Sequence, residues 1–294
     1  MTWRTVVRAA LVIATVALMI RYAYDLDGGA ILRAASAANP WLLIAATAGL
    51  APLVWLKSVR MTLLLGRRIA PGRLMSFFLA GYAADNLLMS QAGIGVRIAL
   101  VHRDGVPLAT AIAIHVVEKV LEAATLALIT LPVVIGLHAD WLARPISWCL
   151  VAAAVGIAAV VLLRSARRTQ QVAGLVRPLA DPRTAATVVG LSVASWLVEI
   201  GMIMATLAAL QLDVPLAQAS ILVIAGVSLA ALVPGLPANI GPFEMTCVLA
   251  LGTFGAVGDR VLGFALVYHA LHTIPVTVIG LPGMWAARRR RREP

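Results

Sequence analysis

The sequence predicts an all-α polytopic membrane protein. It has six full transmembrane helices plus two oppositely oriented re-entrant helical hairpins in an inverted repeat. Three observations predict it. Of 294 residues, 61% are apolar without counting glycine and only 13% are charged, where globular domains run at about 45–50% apolar with glycine included and about 25% charged. Of the 24 basic residues 22 are arginines, most of them clustered between apolar runs. Two of those runs, 74–101 and 216–254, are interrupted midway by polar, glycine or proline residues. At ~20 apolar residues per membrane helix the length allows roughly six to nine segments and leaves no room for a soluble catalytic domain. A soluble enzyme, a secreted disulfide scaffold and a disordered chain are all excluded.

The whole chain, 1–294, reads as a single integral membrane domain. A first span covers 4–24, with Arg8 and Arg21 snorkelling toward the interfaces. A cleaved leader is the competing interpretation, with Ala35-Ser36-Ala37 as its site, but that site lies far beyond Arg21, Asp25 and Asp27. Residues 29–38 form a short interfacial helix. The first repeat, 40–136, comprises a span at 40–64, a broken segment at 74–101 and a long helix at 108–136. Asp85-Asn86 and Gly93-Ile94-Gly95 interrupt the middle member. Two helices of ~14 residues reach only ~21 Å, short of a ~30 Å hydrocarbon core, so this segment dips in and returns. A connecting span at 145–163 and a basic loop at 164–184 follow. The second repeat, 185–286, has a span at 185–211, a run at 216–254 broken by 234–242, and a span at 261–286. For 216–254 the length leaves both a dip and two full crossings open. The basic tail is 287–294.

Topology follows from the basic residues. Lys57, Arg60, Arg67, Arg68 and Arg73 form one cluster, Arg164, Arg167, Arg168, Arg177 and Arg183 a second, and Arg288 to Arg292 a third. Cytoplasmic loops carry such excesses. All three lie on one side only if both broken segments cross an even number of times. Both termini are then cytoplasmic, the first hairpin enters from the cytoplasm and the second from outside. The net charge of +11 therefore marks membrane orientation, and no nucleic-acid partner is expected. Cys149 and Cys247 lie in apolar stretches and fit neither a disulfide framework nor a metal site. No cofactor is expected.

The chemistry concentrates at the breaks and on one helix. Pro242 suits the first helical position, so the helix after it points its partially positive N-terminus at the second tip, near 235–241, where an anion is favoured. Arg97, one turn beyond Gly93, adds a full positive charge beside the first tip, near 91–95. Backbone breaks of this kind persist in a membrane where protein or a water-filled cavity covers them. Glu244, two residues after Pro242, is placed to cap that helix. On 108–136, His115, Glu118, Lys119 and Glu122 fall on one stripe, and three charges at ~3 kcal/mol each consume about what the helix gains from its apolar residues. The stripe therefore faces the bundle interior. It is either a neutralised pair tying helices together or a polar wall of a substrate path, with Glu118 and Glu122 orienting Arg97 or Lys119. If Glu122 only neutralises Lys119, Glu122→Gln does less damage than Glu118→Gln. Asp85, Glu199, His269 and His272 complete the ionisable groups at membrane depth. The two histidines lack the further ligands a metal would need.

At the two broken segments the sequence resembles the lysylphosphatidylglycerol synthase transmembrane region, the flippase-like domain family. Asn86-Leu87-Leu88, Ala92-Gly93-Ile94-Gly95-Val96-Arg97, Gly105-Val106 and Val117 to Glu122 resemble its first signature, a Gly-Glu-x-x-Arg core followed by a Glu-Arg-x-x-Asp helix. Gly93 and Arg97 match, Glu118, Lys119 and Glu122 match conservatively, and Ile94 stands where the family usually has glutamate. Its second signature, Pro-x-x-Pro-Gly-Gly-x-Gly-x-x-Glu, is matched by Pro234, Pro237, Gly241 and Glu244, with Ala238 and Asn239 in place of the paired glycines. The resemblance implies a bundle with opposed re-entrant helices and a role in moving lipids between leaflets. Together with the reading of the breaks and the charged stripe, this gives a candidate substrate site of Arg97, Glu118, Lys119, Glu122, Glu244, Gly93, Gly95, Pro237, Asn239 and Gly241. With the chain stopping at Pro294, the aminoacyl-transfer domain of the synthases is expected to be absent.

The expectation is thus a flippase-like transporter, not an enzyme, in the bacterial inner membrane. Its cargo is an anionic lipid of phospholipid or polyprenyl-phosphate type. Its partners are membrane lipids with anionic headgroups and, in addition, lipid-pathway enzymes. The alternatives are a membrane enzyme or an accessory scaffold in a lipid-linked glycan or lipid-modification pathway.

Overall fold

The computed structural model describes residue 29 and residues 36–88, 91–137, 181–231 and 237–289. The expected spans at 4–24 and 145–163, most of the interfacial helix, residues 164–180 of the basic loop and the tail beyond 289 lie outside the described residues. Every described element is helical: α1 (Pro40–Ala48), α2 (Leu50–Leu64), α3 (Pro71–Leu87), α4 (Ala92–Arg103), α5 (Leu108–Leu137), α6 (Pro182–Ala209), α7 (Leu216–Ala230), a 3-10 turn (Pro237–Asn239), α8 (Pro242–Gly252) and α9 (Asp259–Arg289).

Four stretches are long and apolar enough to cross a membrane: Pro40–Leu64, Leu108–Gly136, Pro182–Ala209 and Asp259–Met284. They coincide with the spans expected at 40–64, 108–136, 185–211 and 261–286. Local chemistry sets their starts. Asn39 caps α1, its Oδ1 accepting from the Trp41 N–H at 3.0 Å with Pro40 at the first helical position. Large apolar side chains stand outward on these helices, among them Leu128 on α5 and Val278 and Ile279 on α9, each at least 61% exposed. Such surface is stable against hydrocarbon and not against water.

The two broken runs stay broken. α3 and α4 have 17 and 12 residues, or about 25 and 18 Å at 1.5 Å per residue. α3 ends at Leu87 and α4 begins at Ala92, so the expected tip at 91–95 overlaps the start of α4. Gly93 and Gly95 therefore lie within the first turn of α4, and Gln91, at φ 74°, takes the left-handed turn position. α7 and α8 have 15 and 11 residues and flank the second break.

The described helices form two compact units, whose boundaries fall inside α2, α3, α4 and α6. In the first (1–54, 76–97 and 197–294), α8 packs between α7 and α9, and α9 also meets α1. Phe243, Tyr268 and Phe264 stack at centroid separations of 5.9 and 5.8 Å and anchor α8 to α9. In the second (55–75 and 98–196), a bidentate Arg73–Asp104 pair joins the start of α3 to the residue after α4.

Candidate functional site

The first break is built by close backbone approach. A methyl group on Gly93 would overlap the Gly81 carbonyl oxygen, so α3 and α4 touch backbone to backbone there. A Cβ at Gly95 would meet open space. Of the two glycines, Gly93 is therefore required by packing and Gly95 is not. The contact brings Asp85 over the start of α4, where its Oδ1 accepts the Gly93 N–H at 2.7 Å. Arg97, 8% exposed, lays its guanidinium over the Phe78 ring at 4.7 Å.

The second break uses the same device with different residues. Pro242 occupies the first position of α8 after Gly241, as expected. Glu244 reaches back and accepts the Gly241 N–H on Oε2 at 2.7 Å. Its other oxygen, Oε1, is 2.5 Å from His269 Nδ1, while His269 Nε2 is 2.9 Å from the Ala238 carbonyl. Ala238, Asn239 and Gly241 have φ of 56°, 58° and 102°. These are left-handed values that glycine adopts freely, asparagine tolerates and alanine resists. The family's paired glycines at the positions of Ala238 and Asn239 thereby gain a physical reason. Pro237 opens the 3-10 turn.

Within the first unit, residues flanking the two breaks touch. Gln91 Nε2 donates to the Ala231 carbonyl at 3.0 Å, linking the first turn to the end of α7. Asn86 Nδ2 donates to Thr277 Oγ1 at 2.8 Å and ties α3 to α9. The expected anion-binding helix ends thus already hold anions of their own, Asp85 and Glu244, and Arg97 carries the positive charge at the first.

The charged stripe of α5 is organised by a residue that charge counting assigns to a loop. Arg60, one of the basic cluster at 57–73, is a fully buried side chain of α2. Its guanidinium donates to Glu118 Oε1 at 3.0 Å, Glu122 Oε1 at 2.6 Å and Ser192 Oγ at 3.1 Å. Lys119 Nζ donates to Glu122 Oε2 at 2.8 Å, and His115 Nδ1 stands 3.3 Å from Glu118 Oε2. Trp196 Nε1 donates to the Glu122 carbonyl and to Thr125 Oγ1, with the Lys57 ammonium 5.9 Å from its ring centroid. Glu118, Glu122 and His115 are buried, whereas Lys119 is half exposed. The interior-facing stripe therefore comprises 115, 118 and 122, with 119 at its edge.

The geometry adds a partner to this stripe: Glu122 holds Lys119, one of the two expected alternatives, and both carboxylates also hold Arg60, which spacing along α5 does not nominate. Glu122 also does more than neutralise Lys119, because its Oε1 makes the shorter of the two carboxylate bonds to Arg60. The signal was present in the sequence: Arg60 falls inside the 40–65 apolar run, and two glutamates against one lysine on α5 leave a charge to be balanced.

The chain matches the lysylphosphatidylglycerol synthase TM region family over residues 6–280. It belongs to that family. No match among curated proteins reaches significance. Family membership and the four apolar helices make the chain a transmembrane protein. Both broken segments, the Arg60 cluster and Glu244 all lie within the matched residues.

Proposed function

We propose that this chain is a flippase-like transporter, without enzymatic chemistry of its own, that moves an anionic lipid between the leaflets of a bacterial inner membrane. The lipid is of phospholipid or polyprenyl-phosphate type. The observation that carries this reading is the meeting of two broken segments in one compact unit, each with a carboxylate on the backbone at its second half-helix. Interrupted helices that meet are how many transporters give a polar cargo a route through hydrocarbon. In this reading the two segments are re-entrant from opposite faces, the termini are cytoplasmic, and the lipid tails stay in the bilayer while the headgroup passes the tips. Asp85 and Glu244 already occupy the backbone N–H groups of Gly93 and Gly241, so attraction for a phosphate rests on Arg97. Its guanidinium binds phosphate bidentately and stays charged. Arg97 is 8% exposed, so access requires α3 and α4 to part around Phe78.

Leaflet-resolved assays in proteoliposomes test the proposal, with activity expressed per folded molecule. Arg97→Lys keeps the charge and loses the fork, and is expected to slow transport by about tenfold, equivalent to about 1.4 kcal/mol, with folded yield retained. Unchanged specific activity in Arg97→Ala removes the headgroup role. Acceleration of no anionic lipid contradicts transport itself.

A further inference from the structure

His269 sits between two oxygens, and its protons can be counted from the geometry. The Ala238 carbonyl only accepts, so the Nε2···O contact of 2.9 Å holds one proton on Nε2. The Nδ1···Oε1 contact with Glu244, at 2.5 Å, holds a second. Without it two lone pairs would face each other at hydrogen-bonding distance. Read as two hydrogen bonds, these contacts give Glu244 and His269 two protons together, one more than a neutral imidazole beside a carboxylate. Whether the bridging proton rides on nitrogen or oxygen does not alter the count.

We infer that the Glu244–His269 pair is a proton-binding site, and that the bridging proton latches the second break in the conformation described here. Ala238 and Asn239 hold left-handed backbone, which persists where the surroundings over-determine it. The surroundings in this case are His269 Nε2 on the Ala238 carbonyl and Glu244 Oε2 on the Gly241 N–H. When the bridging proton leaves for water, a bare Nδ1 faces a bare Oε1, and the ring keeps one of its two partners only. The carbonyl of Ala238 or the carboxylate of Glu244 is then released, and the segment loosens.

From α8 the titratable groups are Glu244 and the buried thiol of Cys247. From α6 Glu199 lies within electrostatic reach of Tyr268, and from α3 Asp85 is engaged with Gly93. On α9 itself Tyr268 and His272 are nearest, and α1 and α7 carry no titratable side chain. Phe243 stacks on the imidazole at 4.3 Å, covering one face, and the His269 side chain is 11% exposed. The site is independent of which lipid is carried. It supplies the transporter with a ligand, the proton, that biases one of its two breaks.

The test uses the full chain in vesicles of zwitterionic and anionic phospholipid, with no transport measured, so its outcome is separate from that of the lipid proposal. Ring nitrogen-15 spectra of histidine-labelled protein are recorded across pH, with the His269 signals assigned from His269→Gln. Backbone hydrogen exchange of 238–241, corrected for its intrinsic pH dependence, is followed in parallel. The expected result is loss of the bridging proton as pH rises, accompanied at the same midpoint by a fall of about tenfold in protection of 238–241. Protection in α8 beyond Glu244 stays constant, and the transition disappears in Glu244→Gln. A single neutral His269 tautomer at every pH overturns the proton site, and protection that does not follow the titration overturns the latch. If His269→Gln does not fold, the His269 signals are assigned from Glu244→Gln, and the same two results still overturn the site and the latch.

Discussion

The Arg60 cluster and the Glu244 tip both bury carboxylates, yet they satisfy them differently. In the cluster Glu118 and Glu122 bond to side chains that stand on continuous helices, so α2, α5 and α6 are tied at fixed register. At the tip Glu244 bonds to backbone and to a titratable ring, and what it holds is three left-handed residues. The first arrangement balances two carboxylates with Arg60 and Lys119 and has little reason to change. The second stores strain and hangs on one proton. The comparison assigns rigidity to the cluster and, on the latch inferred above, motion to the tip.

The largest expected effect comes from breaking the frame. Arg60→Ala leaves Glu118 buried without its cation and Glu122 with Lys119 alone, and stranding a buried charge in this way typically costs about 3–5 kcal/mol. Folded yield in detergent, read by size-exclusion profile and thermal unfolding, should collapse. Gly93→Ala comes next. The added methyl overlaps the Gly81 carbonyl, and overpacking of this kind costs about 1–3 kcal/mol, whereas Gly95→Ala, facing open space on a helix that favours alanine over glycine, should unfold at or slightly above the parent temperature. Ala238→Gly runs the other way. It relieves left-handed strain of about 1–2 kcal/mol against the entropy glycine adds, so thermal unfolding is expected to shift upward slightly.

The smallest effect concerns pH at an exposed cap outside the membrane. Asp181 accepts from the Thr184 hydroxyl at 2.7 Å and the Thr184 N–H at 3.0 Å, bonds that lower its pKa from the usual carboxylate value. A depressed folded value contributes stability above the unfolded pKa, ~3.9, and loses it as pH falls through the folded one. Thermal unfolding of the parent chain should therefore fall slightly more than that of Asp181→Asn below about pH 4.

Much of this was legible in the sequence, because membrane helices announce themselves by composition and their breaks by Pro, Gly and Asp in the middle of apolar runs. The spans at 40–64, 108–136, 185–211 and 261–286, the role of Pro242 and the capping by Glu244 follow from local rules. What was not legible depends on contacts between distant segments. Arg60 obeys the charge-counting rule as well as any loop arginine, and only its burial among Ser192, Glu118 and Glu122, 58 to 132 residues away, shows it to be internal. The close Gly81–Gly93 approach is likewise a contact between two helices, which neither glycine announces on its own. His269 was visible as an ionisable group at depth, but its two oxygens come from α8 and the 3-10 turn, and spacing along α9 carries no trace of them.

One paired measurement tests the division into frame and moving part most directly: folded yield and leaflet-exchange activity per folded molecule, for Arg60→Ala and Glu244→Gln side by side. The account expects Arg60→Ala to lose yield while the molecules that do fold keep their specific activity. It expects Glu244→Gln to keep most of its yield and lose specific activity. The reverse pattern, with Glu244→Gln failing to fold and folded Arg60→Ala inactive, would contradict it.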